Sequence, residues 1–244
     1  MAERHDDTDV ETQLEPVRDR LVSVTIALLA DVGPSEIKVR RIAEEAGVST
    51  IAVYHHFGGV RELLQVVVGR GYRTLRTAFE KAAASGPDPG AQLFAIALSC
   101  RRVAQDNAHL YDMMFGLSTR GTYRYVAEAP DGGPAQQFLE SYAVFADACE
   151  RLVESGRIAI TDGHQVAAEL WSAVHGFVTL EMAGHFARFE NPVGQVLAPM
   201  AVNHFVGMGD ERSRAEKSGH DAVTWWNAEG PGGESESAQI SLHP

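Results

Sequence analysis

Between Ser49 and Phe57 the chain reads STIAVYHHF, a run whose side chains suit one kind of chemistry. Ser49, Thr50, Ile51 and Ala52 are short or flat enough to let a helix approach base edges in a DNA groove. Tyr54, His55 and His56 follow with hydroxyl and imidazole groups that grip phosphates and fix register. Arg40 and Arg41 stand shortly before this run and Arg61 shortly after it. The sequence offers no nucleophile with its base and orienting group, no glycine-rich phosphate loop and no Cys/His ladder at metal spacing. The chemistry on offer is recognition, with no catalytic residues, no metal ligands and no cofactor.

Helices must carry these groups. From Pro16 the residues Val17, Leu21, Val24, Thr25, Leu28 and Val32 recur at spacings of three and four, the stripe of an amphipathic helix that stops at Gly33-Pro34. A second helix over 39–46 turns Val39, Ile42, Ala43 and Ala46 inward and Arg40, Arg41, Glu44 and Glu45 outward. Gly47 stops it, Val48 plugs the turn, and Ser49 caps a short helix over 50–56. A helix ending in glycine, a three-residue turn and a capped second helix form the helix-turn-helix pattern. Phe57 packs the small core, while Tyr54 serves both packing and contact. A long helix follows over 60–84, with Leu63, Leu64, Val67, Val68, Tyr72, Leu75 and Phe79 as its apolar stripe, and SGPDPG then marks a boundary at 85–90.

Charge location supports a polyanionic partner even though the net charge of the 244-residue chain is −12. Nine cations and six anions lie between Pro16 and Arg76, so this segment is +3 and the remainder carries −15. The two cysteines, Cys100 and Cys149, sit in separate apolar runs and read as free thiols in a reducing cytosol. No apolar run reaches the roughly 18 residues needed to span a bilayer, and the N-terminal residues are acidic without an apolar signal-like core. The expectation is a cytoplasmic protein without a membrane partner.

VRRIAEEAGVSTIAVYHHF followed by ELL resembles the DNA-binding module of TetR-family transcriptional regulators, over about 50 residues from the first helix to the start of the fourth. The resemblance implies that Tyr54 and His56 contact phosphates and that Arg40, Ser49, Thr50, Ile51 and His55 lie nearest the major groove. Two residues depart from the family pattern. Lys38 stands where a capping Ser or Thr is usual, and Val60 where a phosphate-binding Lys opens the fourth helix, a role Arg61 could take from a different angle.

Downstream, helix-period segments recur at 91–105, 110–117, 135–154, 162–189 and 192–207 with no sustained strand alternation, so the expected fold class is all-α. The segment 169–186 is apolar on more than one side, which suits a helix serving both an inner core and a subunit interface. Trp171, His175 and Gly176 resemble the Trp-x-x-x-His-Gly signature of one C-terminal domain type in this family, and YDMMFG at 111–116 is similar to another of its segments. This second resemblance implies a helical effector-binding and dimerisation domain. Phe94, Tyr111, Met114, Phe115, Phe138, Tyr142, Trp171, His175 and Met182 are candidates to line an apolar ligand pocket, though the same set could fill the core. His175 and His185 lie ten apart with no completing ligands, which favours a core or pocket histidine over a metal site.

The expected organisation is a disordered tail at 1–15, a three-helix DNA-binding domain at 16–60, a larger helical ligand-binding and dimerisation domain at 61–209, and a second disordered tail at 210–244. Pro199 should kink the last helix or mark its true start, and 118–134 should be the mobile loop. The reading that follows is a homodimeric, ligand-responsive regulator of a double-stranded DNA operator, a repressor released by a small apolar effector. An activator, or a helical ligand-binding protein with weakened operator recognition, is the alternative. An enzyme built on the same helices lacks a reacting constellation.

Overall fold

The computed structural model describes residues 7–115, 133–233 and 239–242. Among them the regular structure is helical, with no strand. The expected mobile loop falls almost wholly outside the described residues. The chain divides into two compact units, one built from residues 1–72 and 106–137 and the other from 73–105 and 138–244. The sequence expectation places a boundary at 60/61 instead.

In the first unit, α1 (Asp7–Val32) begins well before Pro16 and so extends into the expected tail. Asp7, Asp9 and Glu11 favour the positive end of a helix, and Gln13, Leu14 and Glu15 are good helix formers, so the segment can propagate the helix without an apolar stripe. Leu21, Val22, Leu28 and Leu29 bury one face of α1, and Thr25, also buried, returns its hydroxyl to the Leu21 carbonyl at 2.7 Å. Gly33, at φ 74°, ends it. Next come α2 (Val39–Glu45), α3 (Thr50–Phe57) and α4 (Val60–Ala83), whose first half belongs to this unit. The unit is completed by α6 (Ala108–Phe115), which sequence periodicity assigned to the larger domain. Asn107 explains its position: its side-chain amide donates to the Ile26 carbonyl of α1 at 2.9 Å and its oxygen caps the Leu110 N–H at 2.9 Å. Tyr72 donates its hydroxyl to the Met114 carbonyl, and a β-carbon at Gly71 would stand only 2.6 Å from the Met114 sulfur. Glycine there lets α6 lie close against α4.

The second unit holds the rest of α4, then α5 (Pro89–Asp106), α7 (Pro134–Glu154), α8 (Gly163–Met182), α9 (Ala198–Gly207) and α10 (Arg212–Ala228). Its core helix is α5, buried continuously from Gly90 to Cys100. Two expectations change here and a third is decided. First, α8 stops at Met182 because Gly184 takes φ 78°. Second, Asn191 caps the next helix through Gly194 N–H at 3.0 Å, but a π-turn over Val193–Leu197 precedes Pro199, which lies in the first turn of α9. That arrangement places the residue without an N–H where a helix does not need one.

Third, the expected second tail contains α10. Its buried face is Ala215, Ser218, Gly219, Ala222 and Trp226, spaced as a helix requires but made of small side chains and one indole. This composition hides the apolar periodicity. Arg157, 8% exposed, holds α10 in place: it pairs with Asp210 at 2.5 Å, with Asp88, and with the Ser218 hydroxyl at 3.1 Å. Glycine at position 90 is required because a β-carbon would lie 2.6 Å from both Arg157 Nη1 and Ser218 Oγ.

Candidate nucleic-acid interface and ligand chamber

The first unit presents α3 as a helix with a sharply divided surface. Ser49 caps it by accepting the Ala52 N–H at 3.3 Å, and Gly58 at φ 80° closes it. Gly47, at φ 65°, makes the turn from α2. Val53 and Phe57 are buried and anchor the helix, whereas Ile51 is 76% and Tyr54 56% exposed. Exposed apolar residues of that size on a capped helix are available to a partner rather than to the core. Ser49, Thr50 and His55 are exposed beside them, and His56 is half-buried. Arg40 and Arg41 are exposed on α2 and Arg61 in the first turn of α4, so each is accessible.

Two local features bear on phosphate contact. Lys38, at the start of α2, makes no side-chain cap and only a 3.9 Å ion pair with Glu36. Arg18 of α1 lies with its guanidinium 5.2 Å from the Phe57 ring centroid, a cationic neighbour of α3 that sequence spacing did not single out. Burial, followed by the charges of His55 and Arg18, pulls the His56 imidazole below its ordinary range, so the ring is a neutral hydrogen-bonding group at neutral pH.

The nine candidate ligand residues separate into distinct places. Tyr111, Met114 and Phe115 lie in the first unit, where Phe115 packs against Tyr111 at 4.6 Å and against Tyr72 at 5.9 Å between centroids. In the second unit Trp171 is a hub: His175 lies 4.2 Å from it, Phe145 5.2 Å, Tyr142 5.3 Å, Phe79 6.2 Å and Phe138 6.3 Å. Four members of this ring cluster, Phe138, Tyr142, Trp171 and His175, keep part of their surface exposed, whereas Phe79 and Phe145 are buried. Phe94 pairs instead with Phe205 at 5.5 Å, and Met182 ends α8 with 37% exposure. Phe145 is a sequence candidate for the pocket as well, whereas Phe79 joins the cluster although sequence reasoning did not select it. Nothing in local spacing brings α4 and α7 to α8.

Desolvation dominates the electrostatics of the cluster. It lowers the His175 pKa to about 4, leaving the ring neutral, and raises that of Tyr142, with Cys149 a second cause. Such a site is apolar with a few neutral polar atoms, the usual character of a small-molecule pocket. Nearby, Arg101 of α5 grips Glu181 of α8 in a two-point ion pair at 2.7 and 2.9 Å.

A family model described as "Bacterial regulatory proteins, tetR family" matches residues 21–67, and one described as "Tetracyclin repressor-like, C-terminal domain" matches 93–203. Together they span well over half of the chain. It belongs to the TetR family of transcriptional regulators. The first TetR match contains α2, α3 and every candidate DNA residue, and the second includes Trp171, His175 and Gly176. HTH-type transcriptional regulator BetI 2 of Chromohalobacter salexigens is 41% identical over 56 residues, 22% of this chain and only 27% of that relative's length. A Rhodococcus sp. RHA1 protein of unknown function superposes with a TM-score of 0.67 at 22% identity, over 80% of this chain and 96% of that one. A gamma-butyrolactone receptor superposes at 0.60 with 19% identity, over 87% and 98%. At these identities the two structures speak for the TetR fold alone. Among the described residues, no helix is long and apolar enough to cross a membrane.

Proposed function

We propose that this chain is a homodimeric, cytoplasmic repressor that binds a roughly palindromic DNA operator through α3 and leaves it when a small apolar effector binds the second unit. The observation that carries the DNA half is the divided surface of α3: Val53 and Phe57 buried, Ile51 and Tyr54 exposed, Ser49 capping the end that enters a groove. Ile51 contacts a base edge or thymine methyl, Tyr54 and His56 hold phosphates, and Arg40, Arg41 and Arg61 grip the flanking backbone. Two copies of α3 on a dimer meet successive major grooves about 34 to 36 Å apart.

The effector half is carried by the partly exposed cluster of Phe138, Tyr142, Trp171 and His175. Its rings favour an uncharged molecule, which releases DNA only to the extent that it binds one conformation better than the other.

Fluorescence anisotropy with DNA from upstream of the protein's own gene, across a salt series, tests the reading. The chain should select one segment over scrambled DNA, Tyr54→Ala should abolish the preference, and Trp171→Ala should retain it while losing effector response. No sequence preference by the intact protein would overturn the proposal.

A further inference from the structure

The first turn of a recognition helix is the part that meets base edges. From Thr50 to Phe57 α3 reads TIAVYHHF, with no Arg, Lys, Asn, Gln, Asp or Glu. Bidentate hydrogen bonds that single out guanine or adenine come from Arg, Lys, Asn or Gln, and the acceptor for the cytosine amino group comes from Asp or Glu. α3 supplies none of these. Ser49 accepts the Ala52 N–H at 3.3 Å, which ties its oxygen to the cap. His55 lies one turn beyond Ile51 on the same face, and an imidazole offers a base one ring nitrogen at a time.

What the first turn presents instead is methyl groups. Ile51, 76% exposed, is the most exposed large apolar side chain among the described residues, and Thr50 beside it is exposed as well. Val53 is fully buried and fixes the helical phase that turns Ile51 outward. The apolar feature that a base presents in the major groove is the C5-methyl group of thymine. Laid against the cytosine amino group or the guanine O6, Ile51 would strip water from a polar atom and return no hydrogen bond. Against a methyl group, two apolar surfaces leave water together.

We propose that α3 reads its operator through pyrimidine C5-methyl groups: each half-site sets a thymine methyl against Ile51, and 5-methylcytosine at that position is bound better than cytosine. This role of Ile51 rests on the DNA-binding reading above and names the chemical feature of the base that is read. It makes the methylation state of the DNA, and not its sequence alone, part of what the chain recognises.

The test pairs a methyl group removed from the DNA with one removed from the protein. The full chain is titrated by fluorescence anisotropy against the duplex it prefers and against duplexes carrying deoxyuridine for thymine at one position of both half-sites, each position in turn. At one position the native chain should bind deoxyuridine about fourfold less tightly per half-site, the worth of one buried methyl group. 5-methylcytosine there should be bound more tightly than cytosine by a similar factor. Ile51→Ala should bind the thymine and deoxyuridine duplexes alike, whereas Arg61→Ala, which removes a backbone contact, should weaken both and keep their ratio. Indifference of the native chain to deoxyuridine at every position, or a thymine preference that survives in Ile51→Ala, would overturn the proposal while leaving sequence-specific DNA binding intact. Absence of any preference over scrambled DNA would instead remove the DNA-binding reading, and this role of Ile51 with it. If Ile51→Ala fails to fold, the native chain's deoxyuridine and 5-methylcytosine comparisons decide alone.

Discussion

Adjacent residues on α3 should separate stability from recognition. Val53→Ala removes buried methyl groups from the small core and should cost about 2 kcal/mol, read as a lower urea midpoint. Ile51→Ala and Tyr54→Ala remove exposed groups and should stay within about 0.5 kcal/mol of the native chain while weakening operator binding. His175 gives a second test. Burial lowers its pKa to about 4, so between the ordinary 6.5 and that value the unfolded chain takes up a proton that the folded chain refuses. Stability is level above this window and falls as the pH drops through it, by up to on the order of 3 kcal/mol from this one group. His175→Gln should therefore lose less stability than the native chain between neutral pH and about pH 4 in paired urea titrations. The outward and inward residues of α3 were legible in the sequence because Ser49, Gly47 and the apolar spacing fix one helical phase. Most of the rings gathered on Trp171 were legible as candidates, but Phe79 was not, since it arrives from α4, far from α8 in the chain.

At the scale of elements, α10 depends on a single buried cation. Arg157 joins the start of α5, through Asp88, to the start of α10, through Asp210 and Ser218. Removing one partner from a buried pair strands the other charge, so Asp210→Ala should destabilise the chain by about 3 to 5 kcal/mol. Its effect should appear first as faster hydrogen exchange across Arg212–Ala228. Gly90→Ala pushes a β-carbon into the same knot and should lower stability by about 1 to 3 kcal/mol. The helices of the family-like core could be found from periodicity nearly to the residue: α2, α3, α4 and α7 begin and end within two residues of the expected bounds. α10 escaped because alanine, serine and glycine form most of its buried face. The C-terminal end of α8 escaped because backbone geometry at Gly184 decides it, and the π-turn ahead of Pro199 escaped because no apolar spacing announces it.

For the whole molecule, charge separation along the chain makes salt the sharpest probe. Specific binding should fall linearly on a log-log plot with a slope of about −0.9 per phosphate contact, and Arg61→Ala should make that slope shallower by about one. An unchanged slope would remove Arg61 from the interface and leave the place of the family's usual lysine unfilled. The division into two units was only partly visible beforehand: the basic segment marked the DNA-binding end, but Asn107 and Gly71 recruit α6 to it through contacts that span the sequence. The π-turn at Val193–Leu197 has a consequence at the level of the gene. It contains one residue more than an α-turn would, so loss of a single codon there would turn it into a regular α-turn and leave α9 facing as it does now. Val202 and Phe205 would stay inside and Asn203 outside. A codon lost within regular helix would instead rotate everything after it by about 100°, so this turn is the place where the gene can change length without re-aiming α9.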